Sequence, residues 1–197
     1  AASDVYKRQD KGDEINGISL STPPSNSFFG DVVAMDACGT VLVAFGMMNN
    51  FDSATGDFPA YGFKYNSGTG EWDDQSLTFA SNGGGTSNGA AVSEAGDVIV
   101  VGEENYEYDP ATFAYSNIGR VSVFKDAGGG SWTNPGTVIN NPSGTTNEYF
   151  GSGIALSRDT SGGYPTVLAV GAKEQPWDPA NNGGKIYVFQ YGAGSYS

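Results

Sequence analysis

The sequence predicts an all-β fold: a β-propeller of about three four-stranded antiparallel blades, part of a larger propeller or completed by assembly. Three observations carry this. A motif of aromatic, Asp, Pro or Ser, Ala, and Thr or Asn is written as FDSAT at 51–55, YDPAT at 108–112 and WDPAN at 177–181. Glycines opening matching units, Gly30, Gly89 and Gly151, stand 59 and 62 residues apart, a period suited to blades rather than to leucine-rich or ankyrin repeats. The 30 glycines and 13% aromatic residues suit many short strands joined by tight turns, which a helix bundle would not show.

The elements follow in chain order. Residues 1–11 form a polar leader that holds Lys7, Arg8 and Lys11 and matches no later segment; AASDVYKRQ reads as a junction remnant, which places the native N-terminus and any signal peptide upstream. The propeller runs over 12–197, with units near 29–87, 88–149 and 150–197. GDEINGISLSTPPSNS reads as a lone strand d. In each unit, strand a follows the opening glycine. Strand b is almost wholly apolar (VLVAFG, VIVVG, VLAVGA), as a strand buried on both faces requires. Strand c alternates, as in VSVFK and IYVFQ, and a Gly-rich hairpin leads to strand d at Trp72, Trp132 or Tyr196. The layout is d, abcd, abcd, abc, so the N-terminal strand d is placed to complete a blade begun at the C-terminus and hide a sheet edge. A two-sheet sandwich does not predict matching units with matching loops.

Charge and composition exclude several functions. A net charge of −13 with only 9 Lys and Arg argues against nucleic acid as a partner, since phosphates need cations. It suits an extracellular or cell-surface protein. The absence of histidine removes the commonest general base and zinc ligand. Cys38, the single cysteine, cannot form an intrachain disulfide, and its apolar neighbours predict an inert core thiol. No apolar run approaches the roughly 20 residues of a membrane span, so no membrane insertion is expected within the chain. There is no Asn-x-Ser/Thr acceptor, P-loop or dinucleotide fingerprint.

The Phe29-Gly30 and Phe150-Gly151 pairs, with Asn88-Gly89 in the second unit, resemble the opening of the FG-GAP repeat, the blade of integrin-α-like propellers, over residues 29–196. At the family's second signature stand Gly46-Met47, Gly102-Glu103 and Gly171-Ala172-Lys173, without its proline. The resemblance implies an extracellular binding or adhesion module. The calcium loop of integrin-like blades is not carried over, because MDACGT, SEAGD and SRDTSGGYP lack alternating oxygen ligands.

Candidate ligand or cation contacts fall in the b–c loops. Asp52, Asp109 and Asp178 recur in the pentapeptides, with Tyr108 and Trp177 beside them; an Asp followed by Pro or Ser also forms turns without any ligand. GEENYEYDPATFAY gathers Glu103, Glu104, Glu107 and Asp109 with Tyr106 and Tyr108. Clustered carboxylates suit Ca2+, with Glu103, Glu104 and Asp109 as metal ligands, and the rings suit stacking against a glycan. Neither catalytic residues nor an enzyme is predicted. Three functions stay open: a non-catalytic module binding a protein or glycan through its b–c loops; a building block pairing through blade edges with further copies or blades; and, least favoured, a polysaccharide lyase or hydrolase.

Overall fold

The computed structural model describes residues 15, 29–45, 60–75, 77, 87–105, 108–109, 114–128, 132–133, 138–158, 165, 167–173, 183–192 and 195–197. The leader, FDSAT and WDPAN with Asp52, Trp177 and Asp178, and Tyr106 and Glu107, lie outside them, and for Tyr108 and Asp109 the backbone alone is described.

Each unit opens with an antiparallel hairpin closed by one polar side chain. Between β1 (Val32–Met35) and β2 (Val41–Phe45), the Asp36 carboxylate accepts backbone N–H groups of Thr40 at 2.6 Å and Val41 at 2.8 Å, and the Thr40 hydroxyl at 2.7 Å. Burial alone would raise the Asp36 carboxyl, but these bonds outweigh it and hold it below the usual carboxylate range. Between β5 (Ser87–Val92) and β6 (Val98–Glu103), the Ser93 hydroxyl accepts the Val98 N–H at 2.9 Å. Between β12 (Phe150–Leu156) and β13 (Val167–Ala172), Ser157 does the same for the Val167 N–H at 2.9 Å. The shared turn makes Val41, Val98 and Val167 equivalent.

That equivalence corrects two expectations. Phe45, not Gly46, occupies the place of Gly102 and Gly171. Cys38 is exposed in the Asp36 turn rather than buried in a strand, because the turn is closed by Asp36 and leaves no room in the core for its tip.

Three antiparallel sheets result, and they are propeller blades. Blade 1 orders β1-β2-β3-β4, with β3 at Tyr61–Asn66 and β4 at Glu71–Asp74. Blade 2 orders β5-β6-β9-β10, with β9 at Arg120–Asp126 and β10 at Trp132–Thr133; β11 (Val138–Asn140) pairs with the start of β9, so strand d is broken in two. A small ribbon pairs β7 (Tyr108–Asp109) with β8 (Ala114–Tyr115); Pro110, Ala111 and Thr112 of YDPAT lie outside the described residues. Blade 3 orders β12-β13-β14-β15, with β14 at Lys185–Gly192 and β15 at Ser195–Tyr196. The third unit thus has the start of a strand d that the sequence reading left out.

Strand alternation then builds the core, because consecutive residues face opposite sides of a sheet. Ile99 and Val101 of β6 join Val41, Val43 and Phe45 in the seam between blades 1 and 2. Val98 and Val100 join Leu168, Val170 and Ala172 in the seam between blades 2 and 3. The far face of blade 1 buries Leu42, Ala44, Tyr61 and Phe63 under Ile15, Phe29 and Trp72.

The opening Phe-Gly has a repeated place. The Phe29 ring packs edge-on against Tyr61 and Phe63, at 5.7 and 6.3 Å; Phe150 packs on the equivalent Tyr187 and Phe189, at 5.4 and 6.1 Å. Gly151 (φ +97°) lies against Gly102, where an added Cβ would come within 2.0 Å of the Gly151 carbonyl oxygen. No side chain fits there, which is why strand b of blade 2 carries glycine at position 102.

Candidate functional site

In an antiparallel a-b-c-d blade, the start of a, the end of b, the start of c and the end of d share one rim. The b–c loops and the connections between blades leave from it, and it gathers the buried acids of blades 2 and 3. Glu103 and Glu104 are adjacent in sequence but diverge. Glu103, the last residue of β6, lies against Arg120, the first of β9, with the Ser122 hydroxyl 3.4 Å from its other oxygen. Both members of the pair are buried. Glu104 reaches across the seam to Lys173, whose Nζ lies 2.9 Å from Oε1 and 2.8 Å from Oε2. Lys173 also stands 5.1 Å over the Tyr149 ring, a cation–π contact.

Glu148 sits in the connection between blades, where it is 2% exposed. It faces Lys185, and its Oε2 accepts from Ser143 at 2.6 Å, Asn141 at 2.8 Å and Tyr187 at 3.2 Å. The connection is held to blade 2 by backbone bonds: the N–H groups of Asn147, Tyr149 and Phe150 donate to the carbonyls of Ser116, Asn117 and Ile118 at 2.9–3.2 Å. Asn117, Asn147 and Tyr149 all adopt left-handed backbone, at φ 49°, 64° and 52°. For a residue as bulky as Tyr this is unusual, and the surrounding bonds enforce it.

The carboxyls behave differently. Burial pushes the Glu103 carboxyl above its ordinary value, with the Arg120 bond and charge and the Ser122 hydroxyl offsetting only part. Burial acts the same way on Glu148, but bonds from Lys185, Ser143 and Asn141 and the Lys185 charge outweigh it and lower the group to about 2. Beside Lys173 and Lys185, a shallow cleft of about 580 Å3 opens on blade 3, floored by Gly153 and Gly171.

The structure therefore brings Glu103 and Glu104 to one rim, but onto two different cations. Tyr108 and Asp109 lie on the separate two-stranded β7–β8 ribbon. Among the described residues no three His, Cys, Asp or Glu side chains gather closely enough to hold a metal ion. Sequence reasoning missed Arg120, Glu148, Lys173 and Lys185. The repeat held a signal: Arg120 and Lys185 are equivalent first residues of strand c, and Glu104 and Lys173 are equivalent residues of opposite charge in adjacent blades.

No protein-family model and no curated protein matches the chain. Among solved structures, the chain is similar to the periplasmic gluconolactonase PpgL of Pseudomonas aeruginosa, at 15% identity and a TM-score of 0.43, over 87% of this chain and 40% of that one. It is similar to Sqt1 from Chaetomium thermophilum, at 13% identity and 0.45, over 84% and 33%. It is also similar to hydrazine synthase of Kuenenia stuttgartiensis, at 11% identity and 0.44, over 80% and 39%. The chain spans between a third and two fifths of the length of these structures, which are of propeller type.

These findings correct the functional expectation. The FG-GAP resemblance, from which adhesion followed, has no family match, and the similar structures carry the names of a gluconolactonase, Sqt1 and a hydrazine synthase, none of them an adhesion protein. The binding or adhesion module is withdrawn. A few Phe-Gly pairs describe how a blade is packed, and packing does not specify what a rim binds.

Proposed function

We propose that the chain supplies three consecutive blades to a closed propeller, as a scaffold whose two end faces are surfaces between blades. One observation carries this reading. All five exposed large apolar residues among the described ones lie on the end faces: Val33 (55%) and Met35 (49%) on blade 1, and Val167 (37%), Ile186 (77%) and Val188 (66%) on blade 3. Val33 and Met35 pair with Ala44 and Leu42, on the face turned away from blade 2. Val167, Ile186 and Val188 lie opposite to Leu168 and Val170, on the face turned away from blade 2.

The rim acids fit the same reading. Glu104 with Lys173 and Glu148 with Lys185 tie blade 2 and its outgoing connection to blade 3, and Glu103 with Arg120 ties β6 to β9 within blade 2, so these acids serve the packing of the blades. Phe29-Gly30 and Phe150-Gly151 support blades of FG-GAP type, and the −13 net charge supports a place outside the cytoplasm. The test is imaging of the native particle together with the denatured mass of its chain. A closed ring of about 4–8 blades is expected; an isolated three-bladed wedge would contradict the reading.

A further inference from the structure

The open face of blade 3 is equivalent, residue for residue, to the face of blade 2 on which blade 3 sits. Val167 corresponds to Val98, Ala169 to Val100, Ile186 to Val121 and Val188 to Val123, by the shared turns and strand registers. In blade 2 those four positions are fully buried. Gly171 corresponds to Gly102, the position that receives Gly151. Where Gly102 is filled by the Gly151 backbone, Gly171 floors the 580 Å3 cleft, and an added Cβ there meets nothing nearer than 3.5 Å.

The opposite end carries the complement. Blade 1 presents Phe29 and Gly30 as blade 3 presents Phe150 and Gly151. Gly30 has the same left-handed backbone (φ +92°), yet an added Cβ would meet nothing within 4 Å, whereas Gly151 is packed on Gly102. Phe150 is fully buried and Phe29 is only partly so. The chain therefore has an unfilled socket at one end and, at the other, a plug of matching design whose Gly30, Val33 and Met35 stand uncovered, while Leu42, Ala44, Tyr61 and Phe63 beside them are already buried under Ile15, Phe29 and Trp72.

Resting on the three-blade reading above, we propose that blade 1 of a second copy of this chain docks on the open face of blade 3, its Phe29-Gly30 seating at Gly171. Two copies then close head to tail into one ring, burying Val167, Ile186 and Val188 of one copy against the Val33 and Met35 face of the other. Such a heterologous contact forms a ring when its rotation closes and a filament when it does not. The inter-blade seams within the chain supply the rotation, and closed propellers of about 4–8 blades are the usual outcome.

Sedimentation equilibrium of the full chain over a wide concentration range tests this. The expected mass is twice the 20.4 kDa of one chain. Gly171→Val fills the socket without touching an inner seam, and should weaken association at least 100-fold while leaving the circular dichroism spectrum and melting curve of the dilute chain unchanged. Val33→Asp with Met35→Asp, on the plug, should do the same. Mixing the socket variant with the plug variant should restore a two-chain species, since one intact interface remains. A chain that stays monomeric at every concentration would overturn the two-copy ring, as would masses that keep growing with concentration. Dimers formed by the plug variant alone would overturn it too, by showing socket-to-socket pairing. The three-blade reading fails separately, if the native particle is an isolated wedge.

Discussion

Blade 2 and blade 3 carry the same outer face, and only one of them is covered. Val98, Val100, Val121 and Val123 are fully buried, whereas of their counterparts Val167, Ile186 and Val188 stand open to solvent and Ala169 is half-buried. The residue types are alike: apolar on alternate positions of strands b and c, β-branched at every one but Ala169. What differs is the neighbour. Blade 2 has Phe150, Leu168 and Val170 set against it, and blade 3 has nothing there among the described residues. A repeat writes the inter-blade face into every copy, so an exposed apolar stripe at a repeat position marks a missing neighbour rather than a local accident.

The largest effects should come from making the two faces unlike each other. Val123→Asp would bury an unpaired carboxylate and Gly102→Val would force a side chain into the Gly151 backbone; each should leave the chain unfolded or more than about 4 kcal/mol less stable in urea titrations. The counterpart changes, Val188→Asp and Gly171→Val, should shift dilute-solution stability by no more than about 0.5 kcal/mol. Comparable losses at both faces would break the comparison.

Next come the two ion pairs of the rim, Glu103–Arg120 within blade 2 and Glu104–Lys173 across the seam to blade 3. Arg120→Met strands a buried Glu103 and should cost about 3–5 kcal/mol. Lys173→Met strands Glu104 as well, but Lys173 is half exposed, so water replaces part of its bond and the cost should be about 1–3 kcal/mol. Both are read from denaturant midpoints, and an equal cost for the two would sink the distinction between a buried pair and a seam-edge pair.

The carboxyls also separate by pH. The folded-state value of Glu148 is depressed to about 2 from 4.5. Its stabilisation is therefore complete above about pH 4.5 and fades as the pH falls through 2. Glu103 is shifted upward, so its contribution has the opposite sign: it favours the folded state below its unfolded value and is lost as the pH rises through the folded one. Glu148→Gln should flatten the acid limb of a stability-versus-pH curve, and Glu103→Gln should not.

The smallest effect concerns the other rim. Cys38, exposed on the Asp36 turn, should react in the native state with a thiol reagent at close to the rate of the unfolded chain, with no change in melting temperature. Slow labelling relieved only by denaturant would return the thiol to the core.

Much of the fold was legible because blades obey local rules. The apolar runs of β2 and β6 are buried on both faces and β14 alternates as predicted, whereas β13 is open on alternate positions and β9 is buried on both faces along most of its length; Phe29-Gly30 and Phe150-Gly151 open their blades as a repeated unit should. The turn anchors were not legible, because Asp36, Ser93 and Ser157 share a hydrogen-bonding role but not an identity. Cys38 was misplaced because its apolar neighbours belong to two strands and its own position to the turn between them. The rim was half legible. GEENYEYDP concentrates acids, but side-chain alternation sends Glu103 and Glu104 to opposite sides; Arg120 comes from the paired strand β9 of the same blade, and Lys173 and Lys185 come from blade 3, which only blade stacking brings near. Comparing equivalent residues between units would have found them. Adhesion was read from the packing signature of a blade, and that signature is silent about ligands.

The central claim, that the open face of blade 3 is the buried face of blade 2 awaiting a neighbour, is most directly tested by one accessibility measurement. In a Cys38→Ser background, alkylation rates are compared for thiols introduced by Val123→Cys and Val188→Cys across protein concentration. The thiol at 123 should be protected throughout, and the thiol at 188 should react freely when dilute and approach the same protection as concentration rises. A thiol at 188 that reacts equally fast at every concentration would contradict the account.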